Sequence, residues 1–271
     1  MDTKGYAFIT GGGSGIGKAC AMLFAELGTS GILIADLNLE AAQETASEAT
    51  AVASNPNFRA ETVHLDVSDE ESVANAVQQM VKLFGRIDYS VHCAGIPVRS
   101  YEPVSNASFP EFQDLIRVHV HGTFLVTRAV SAAMKSQEPV PVDSSSPDRG
   151  ITRGSIVNLA SVTADITPAN MVQYNAAKHA VQGITKTAAV ENGPLGTRVN
   201  CICPTWIETS MYRQTMEVIP PLNEQTAVAP IPMGRVGTAK EVAQSAIFLC
   251  SSWSSFMTGH SLVLDGGMTI M

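Results

Sequence analysis

A tyrosine and a lysine stand four residues apart, at Tyr174 and Lys178, within a pattern that predicts a helix. Residues at this spacing share one helix face, so the lysine ammonium can favour the tyrosine phenolate. An unperturbed tyrosine has a pKa near ~10, and a pKa lowered towards neutrality makes its hydroxyl a usable acid and base. Such pairs are common on helix surfaces, so the pair carries chemistry only together with other motifs.

A glycine-rich turn near the start of the chain is a second candidate site. It reads Thr-Gly-Gly-Gly-Ser-Gly-Ile-Gly over residues 10–17 and leads directly into a helical pattern from Lys18 to Leu27. Glycines let the backbone approach a pyrophosphate, and the helix N-terminus offers free N–H groups and a positive dipole. This context favours a dinucleotide-phosphate site over the alternative, a tight turn without a ligand.

Asp36 ends the next predicted strand, roughly 20 residues beyond the glycines, where an acid can hydrogen-bond adenosine ribose hydroxyls. Its carboxylate would repel a 2′-phosphate, and its neighbours Ser14 and Leu37 supply no cation to bind one. The cofactor is therefore predicted to be NAD rather than NADP. A role for Asp36 as a helix cap is compatible with this prediction.

Short strand-like runs alternate with longer helical patterns along the whole chain. This alternation predicts an α/β fold: a single-domain, Rossmann-like, doubly wound parallel sheet of about seven strands over residues 1–271, with helices on both faces. The predicted strands are Tyr6 to Thr10, Gly31 to Asp36, Thr62 to Asp66, Tyr89 to Cys93, Ser155 to Ala160, Arg198 to Cys203 and Leu262 to Leu264.

Two segments interrupt the alternation. Residues 136–153 are rich in proline and serine, which predicts an exposed, flexible insertion. Residues 206–233 follow the end of a predicted strand and contain Pro220, Pro221, Pro230 and Pro232. A loop at that edge of the sheet can close over a ligand, so this segment is predicted to bind substrate.

Four motifs in this order resemble the short-chain dehydrogenase/reductase family, from about Lys4 to Met268. The glycine turn matches the family's Thr-Gly-x-x-x-Gly-x-Gly, and Asp66-Val67 resembles its adenine-contacting pair. Ser161 follows a strand as the family's active-site serine does, and Tyr174 with Lys178 matches Tyr-x-x-x-Lys.

The resemblance implies that Ser161, Tyr174 and Lys178 are catalytic. Ser161 would hydrogen-bond the substrate oxygen while a hydride passes between the substrate carbon and the nicotinamide. No metal is implied. The cofactor-binding residues that follow from the resemblance are Gly11, Ser14, Gly15, Ile16, Gly17, Asp36, Asp66, Val67, Ala94, Gly95, Tyr174, Lys178, Pro204, Ile207 and Thr209.

Four positions depart from the family pattern. His92 and Cys93 replace a pair of asparagines, and His119 stands where the family has its catalytic asparagine. His119 is a candidate catalytic residue that would hold a water, with a packed helix histidine as the alternative. Thr205 stands where glycine is frequent and is expected to narrow the pocket beside the nicotinamide.

The expected substrate pocket has mostly apolar walls. It predicts a hydrophobic or cyclic alcohol or ketone, so the predicted activity is NAD(H)-dependent interconversion of a secondary alcohol and a ketone. Two other functions remain open: a dinucleotide-binding sensor or scaffold without turnover, and an isomerase or cyclase that retains the cofactor. The predicted pocket residues are Val98, Thr163, Asp165, Gln173, Trp206 and Met211.

Composition limits the partners. The chain has 271 residues with a net charge of −8, and no run of lysine or arginine could follow a phosphate backbone, so nucleic acid is not expected. No apolar run is long enough to span a bilayer, and the five scattered cysteines lack metal-site spacing. We expect a cytoplasmic protein with no membrane partner that forms a homotetramer, with a dimer as the alternative.

Overall fold

A computed structural model describes residues 3–219 and 223–270 of the chain. At its centre the described residues form one sheet of seven parallel strands. The strands are β1 (Tyr6–Thr10), β2 (Gly31–Asp36), β3 (Arg59–His64), β4 (Tyr89–His92), β5 (Gly154–Leu159), β6 (Thr197–Pro204) and β7 (Ser261–Leu264).

The strand order across the sheet is β3, β2, β1, β4, β5, β6, β7. The chain builds outwards from β1 to one edge and then returns to build outwards from β4 to the other. Between β1 and β4 the connections diverge to opposite sides, which opens a crevice at the carboxyl ends of the strands. The predicted doubly wound parallel sheet is confirmed, and the crevice is where its ligand site is expected.

Helices cover both faces of the sheet. Helices α1, α2 and α9 pack on one face and α3, α5 and α6 on the other, each set closing its own hydrophobic core. The helices are α1 (Gly15–Glu26), α2 (Leu39–Val52), α3 (Glu70–Phe84), α4 (Phe109–Leu115), α5 (Gly122–Ser136), α6 (Val172–Asn192), α7 (Ser210–Val218), α8 (Glu224–Val228) and α9 (Ala239–Cys250).

The alternation of side chains along the strands supplies both cores. In β1, Ala7 and Ile9 enter one core and Phe8 enters the other, and all three are fully buried. Because both faces are covered, the central strands are continuous apolar runs.

The third strand differs from the prediction. The sequence predicted Thr62 to Asp66, whereas the strand runs from Arg59 to His64. It lies at one edge of the sheet and carries an ion pair between Arg59 and Glu61, with 3.0 Å between nitrogen and oxygen. Charged residues protect a sheet edge from pairing with another chain. They also interrupt the apolar pattern by which a strand is recognised in the sequence, which is why the start of β3 was misplaced.

The two segments that interrupt the alternation contain short regular elements. In residues 136–153, Val140–Pro141 pairs antiparallel with Ile151–Thr152, and the Arg149 guanidinium donates to the Ser252 carbonyl. Its flexibility remains a prediction. The 206–233 segment contains α7 and α8 at the carboxyl edge of the sheet, while Pro220 and Pro221 lie outside the described residues.

In the described ranges, no helix is both long enough and apolar enough to traverse a lipid bilayer.

Candidate active site

Ser161 stands just beyond the carboxyl end of β5 and begins a short 3-10 turn, Val162–Ala164. Its Oγ accepts a hydrogen bond of 3.2 Å from the Thr163 backbone N–H, which fixes the hydroxyl at the start of the turn. The side chain is buried and lines a cavity of about 310 Å³ at the carboxyl edge of the sheet.

Tyr174 and Lys178 lie one turn apart near the start of α6 and line the same cavity. The Lys178 ammonium donates a 2.8 Å hydrogen bond to the Leu159 carbonyl at the end of β5. Its Nζ also lies 5.5 Å from the centre of the Tyr174 ring. The fold thus brings Ser161, Tyr174 and Lys178 together, although the serine comes from a different element.

The charge states of this pair depart from the sequence expectation. Burial raises the pKa of Tyr174 to about 12, and a hydrogen bond with Ser161 only partly opposes it. Burial lowers the pKa of Lys178 to about 8. The lysine bonds a backbone carbonyl rather than the phenol, so in the protein without cofactor Tyr174 is a neutral hydroxyl.

His119 enters the same cavity from a π-helical turn, Ile116–His121, between α4 and α5. Its Nε2 lies 2.9 Å from the Ile96 carbonyl, and its ring meets that of Tyr174 edge-on with centres 5.6 Å apart. Burial and the Lys178 charge hold the pKa of this imidazole well below its usual range. The Ile96 backbone N–H also lies 3.3 Å from Nε2, and one nitrogen of a neutral ring can either donate or accept. The shorter contact is the one to the carbonyl, which can only accept, so it favours the tautomer that donates from Nε2.

His92 replaces a family asparagine at the end of β4 and is almost fully buried. Its Nδ1 lies 2.7 Å from the Thr10 hydroxyl at the end of β1, so it links the two strands that border the crevice. Burial, reinforced by the Lys178 charge, lowers the pKa of His92 to about 3. The ring is neutral and structural.

The glycine turn fits a dinucleotide pyrophosphate. A Cβ at Gly17 would lie 2.1 Å from the Gly11 carbonyl oxygen, so only glycine lets the turn fold back on α1. Ser14, the N-cap of α1, places no side-chain oxygen on the first N–H groups of that helix. Those groups lack intrahelical partners and are free to bind an anion.

A second cavity, of about 290 Å³, extends from the glycine turn to Asp66 and Val67. It shares Cys93, Gly95 and Thr209 with the cavity of Tyr174, so the two form one cleft. All predicted cofactor residues line this cleft. Those in the second cavity are Gly11, Ser14, Gly15, Ile16, Gly17, Asp36, Asp66, Val67, Ala94, Gly95 and Thr209; Tyr174, Lys178, Pro204 and Ile207 line the first.

Asp36 stands at the end of β2 on the wall of this cleft. Its two carboxylate oxygens accept backbone hydrogen bonds from Gly13 at 2.8 Å and Asn38 at 2.9 Å. Asn38, not Asp36, caps α2. Asp36 thus joins the glycine turn to the end of β2 and presents a negative charge to the cleft.

Four of the predicted substrate residues, Val98, Thr163, Trp206 and Met211, line the Tyr174 cavity. The structure does not bring the other two into its wall. Asp165 accepts a hydrogen bond from Gln182, and the buried Gln173 donates to the Ser100 carbonyl.

Further residues line the cavity that sequence reasoning did not assign to it. They come from segments far apart in the chain, and no common spacing marks them. Thr205 also lines it, as expected, and its hydroxyl contacts the Met268 sulfur at 2.9 Å. The unassigned residues include Tyr101, Ile166, Pro168, Met171 and Met268, whereas Thr215 and Ile219 belong to the predicted substrate segment 206–233.

Within residues 3–219 and 223–270, no three histidine, cysteine, aspartate or glutamate side chains are grouped as metal ligands.

A nucleotide-binding crevice beside a serine, tyrosine and lysine defines a dinucleotide-dependent oxidoreductase. A family model described as enoyl-(acyl carrier protein) reductase matches residues 11–269. Short-chain dehydrogenase srdC of Neurospora crassa is 50% identical over 270 residues, covering 100% of this chain and 98% of that protein. The chain belongs to the short-chain dehydrogenase/reductase family, whose members bind nicotinamide dinucleotides and act on small molecules.

Solved structures agree with this assignment. Levodione reductase superposes with a TM-score of 0.86 at 30% identity and covers 100% of this chain and 99% of its own. A 3-ketoacyl-(acyl-carrier-protein) reductase from Brucella melitensis, solved in complex with NADH, gives a TM-score of 0.83 at 30% identity, with 99% of each chain covered.

Proposed function

We propose that this protein is an NAD(H)-dependent oxidoreductase that interconverts a secondary alcohol and a ketone on a largely apolar small molecule. The observation that carries the proposal is the placing of Ser161, Tyr174 and Lys178 on one wall of an apolar cavity that opens into the glycine-turn cleft. Apolar walls with a few converging polar groups are typical of sites for such molecules.

Each of the three residues has a defined task. The bound nicotinamide supplies or accepts the hydride. Ser161, fixed by the Thr163 N–H, orients the substrate oxygen. Tyr174 donates a proton to that oxygen when a carbonyl is reduced and takes it back when an alcohol is oxidised. The Lys178 ammonium beside the ring stabilises the phenolate formed when the proton leaves.

We propose that His119 acts beside them as a positioning residue. Its hydrogen bond to the Ile96 carbonyl holds the segment after β4 against the cavity, and its ring edge supports the Tyr174 ring. A water-holding role is not needed for this arrangement.

The proposed cofactor preference rests on the charge around the adenosine end of the cleft. Asp36, the last residue of β2, lines this end of the cleft, and no lysine or arginine is among the described residues that line the second cavity. Lys18, one turn into α1, is paired with Glu48 at 2.7 Å. A 2′-phosphate would meet a carboxylate without a compensating cation.

We further propose a homotetramer. The edge strand β7 carries no charged residue, in contrast to β3, and the exposed side chains of Trp253 and Phe256 lie shortly before it in the chain. An uncharged edge strand and exposed aromatic rings on the segment that leads into it both favour burial against another copy. Exposed Phe124 on α5 provides apolar area for a second interface.

The proposal is tested by titrating the protein with NADH and NADPH by fluorescence, then following nicotinamide absorbance with a panel of ketones and alcohols. We expect tighter binding of NADH and turnover that falls at least about a thousandfold in Tyr174→Phe, whose cofactor binding is retained. Binding without turnover would favour a sensor or scaffold. Product formation without net change in NADH would favour an isomerase or cyclase.

A further inference from the structure

The cavity contains a second tyrosine, Tyr212, to which the proposed reaction assigns no task. It lies in the first turn of α7, its side chain is 5% exposed, and it lines the same cavity as Ser161 and Tyr174. Its hydroxyl oxygen is buried and has no hydrogen-bond partner among the residues that the structure describes. A buried hydroxyl without a partner is costly and calls for an explanation.

The ring of Tyr212 is held in place. Its backbone N–H donates to the Thr209 hydroxyl, which caps α7, and its ring packs against Trp206 with centres 5.8 Å apart. The apolar residues Met211, in the first turn of α7, and Ile219, just after its end, also line the cavity. Tyr212 is therefore fixed in the wall and carries a buried hydroxyl within a mostly apolar lining, as expected for a residue that orients a ligand.

A second unpaired hydroxyl lines the same cavity. Thr163 Oγ1 is buried with no hydrogen-bond partner in residues 3–219 and 223–270, on the turn whose backbone fixes Ser161. Unpaired hydroxyls elsewhere in the described residues do not line the cavity, so their presence alone indicates no ligand. What distinguishes Tyr212 and Thr163 is their place in the cavity wall; the others are Thr29, Thr45, Ser90, Ser131 and Thr197.

The charge around Tyr212 favours a neutral partner. Burial raises the pKa of its phenol, and the nearby carboxylates of Glu208 and Glu224 raise it further. The hydroxyl is thus neutral and can donate and accept. Glu208 is paired with Arg213 at 2.7 Å, so Glu224 is the acid whose charge is left to repel a carboxylate or phosphate on the ligand. A hydroxyl or carbonyl would not be repelled.

We propose that Tyr212 is a specificity-determining residue that hydrogen-bonds a second, neutral oxygen of the substrate, remote from the reacting carbon. The substrate class is accordingly an apolar alcohol or ketone that also carries a hydroxyl or carbonyl. This inference rests on the proposed function, because it assigns the far end of the same substrate. A site built to pair with an oxygen discriminates against the analogue that lacks it, since the protein group is then left unpaired.

Matched ketones test the proposal: benzylacetone and its para-hydroxy derivative, and a methyl alkyl ketone and its terminally hydroxylated analogue. In the wild type we expect kcat/KM to favour the hydroxylated member of at least one pair by about tenfold or more. In Tyr212→Phe this ratio should fall to about one. Tyr101→Phe, which removes a hydroxyl from the same cavity, is the matched control and should keep the wild-type ratio.

Calorimetry separates this proposal from the reaction itself. The same pairs are titrated into the NADH complexes of Tyr174→Phe and of Tyr174→Phe/Tyr212→Phe, in which proton transfer is blocked. An affinity preference for the hydroxylated ketone that disappears with Tyr212→Phe supports the proposed hydrogen bond from Tyr212 to the substrate. If no ketone is reduced but this preference is found, only the proposed reaction fails. If the ratio between the hydroxylated and the plain ketone is the same with and without the Tyr212 hydroxyl, in both kcat/KM and affinity, the proposed role of Tyr212 is overturned.

Discussion

At the scale of single residues, the site is organised by buried groups whose charged forms are disfavoured. Tyr174, Lys178, His92 and His119 all have pKa values shifted towards the neutral form, with burial as the largest cause. Apolar packing in and behind the cavity wall removes water from these side chains. The proposed substrate preference and the acid–base behaviour therefore share one physical origin.

The hydrogen bond from His119 to Ile96 leads to a prediction about activity. His119→Ala removes both this bond and the ring edge beside Tyr174, so we expect kcat/KM to fall by about tenfold or more. His119→Asn restores an N–H donor and should recover much of the loss. Steady-state kinetics, with NADH affinity as the control, checks this; wild-type activity in His119→Ala would exclude a positioning role.

Buried His92 leads to a prediction about pH and stability. Its pKa is about 3 in the folded protein, below the value of an unfolded histidine, so between these values the unfolded chain binds the extra proton and stability is lost as pH falls. With an unfolded pKa near ~6.5, the loss at pH ~5 is about 2 kcal/mol.

His92→Asn cannot ionise and should lose less stability than the wild type over the same pH interval. Urea unfolding of both proteins at pH ~7 and pH ~5 measures the difference. His121→Asn, at an exposed position on the neighbouring π-helical turn, is the matched control. An identical loss in wild type and His92→Asn would show that His92 is protonated in the folded state or contributes nothing.

At the scale of elements, the end of β2 and the glycine turn act as one unit, because Asp36 accepts the Gly13 N–H. Asp36→Asn keeps a side-chain oxygen that can accept from that N–H but removes the charge. We expect the preference for NADH over NADPH to fall by about tenfold, because repulsion of the 2′-phosphate is lost.

Binding constants for both nucleotides, measured by fluorescence, check this prediction. Asp66→Asn, which removes a charge from the same cavity at a different strand end, is the control and should leave the ratio close to that of the wild type. An unchanged ratio in Asp36→Asn would mean that the carboxylate does not face the 2′ position.

At the scale of the whole molecule, the two sheet edges differ. The Arg59–Glu61 pair marks the β3 edge, while the β7 edge is uncharged and follows exposed Trp253 and Phe256 in the chain. We expect light scattering to give four chain masses for the wild type and a smaller species for Phe256→Glu, because burying a carboxylate at an interface is costly. Val104→Glu, exposed elsewhere, should keep the wild-type mass; a monomeric wild type would contradict the proposal.

The sequence by itself determined the fold class and most of the catalytic cleft. Strand and helix periods are local properties, so the sheet followed from them, and β3 was misplaced because its edge position allows charged residues. The glycine turn and the Tyr174–Lys178 pair are short motifs, so the spacing of their residues in sequence determines how those residues lie in space. Such local motifs can be recognised because all their residues lie within a few positions of one another in the sequence.

Only the tertiary structure decided the rest of the site. Tyr101 and Met268 reach the cavity from distant segments, and Asp165 bonds Gln182 instead, outcomes that no local spacing encodes. The tertiary structure also decides the neutral state of Tyr174. Its burial depends on the residues that pack around the ring, and Lys178 donates its hydrogen bond to the Leu159 carbonyl. Contacts between remote segments determine how deeply each side chain is buried and which groups it bonds. Burial and hydrogen-bond partners in turn determine the charge state of the side chain and the groups that the cavity offers to a substrate.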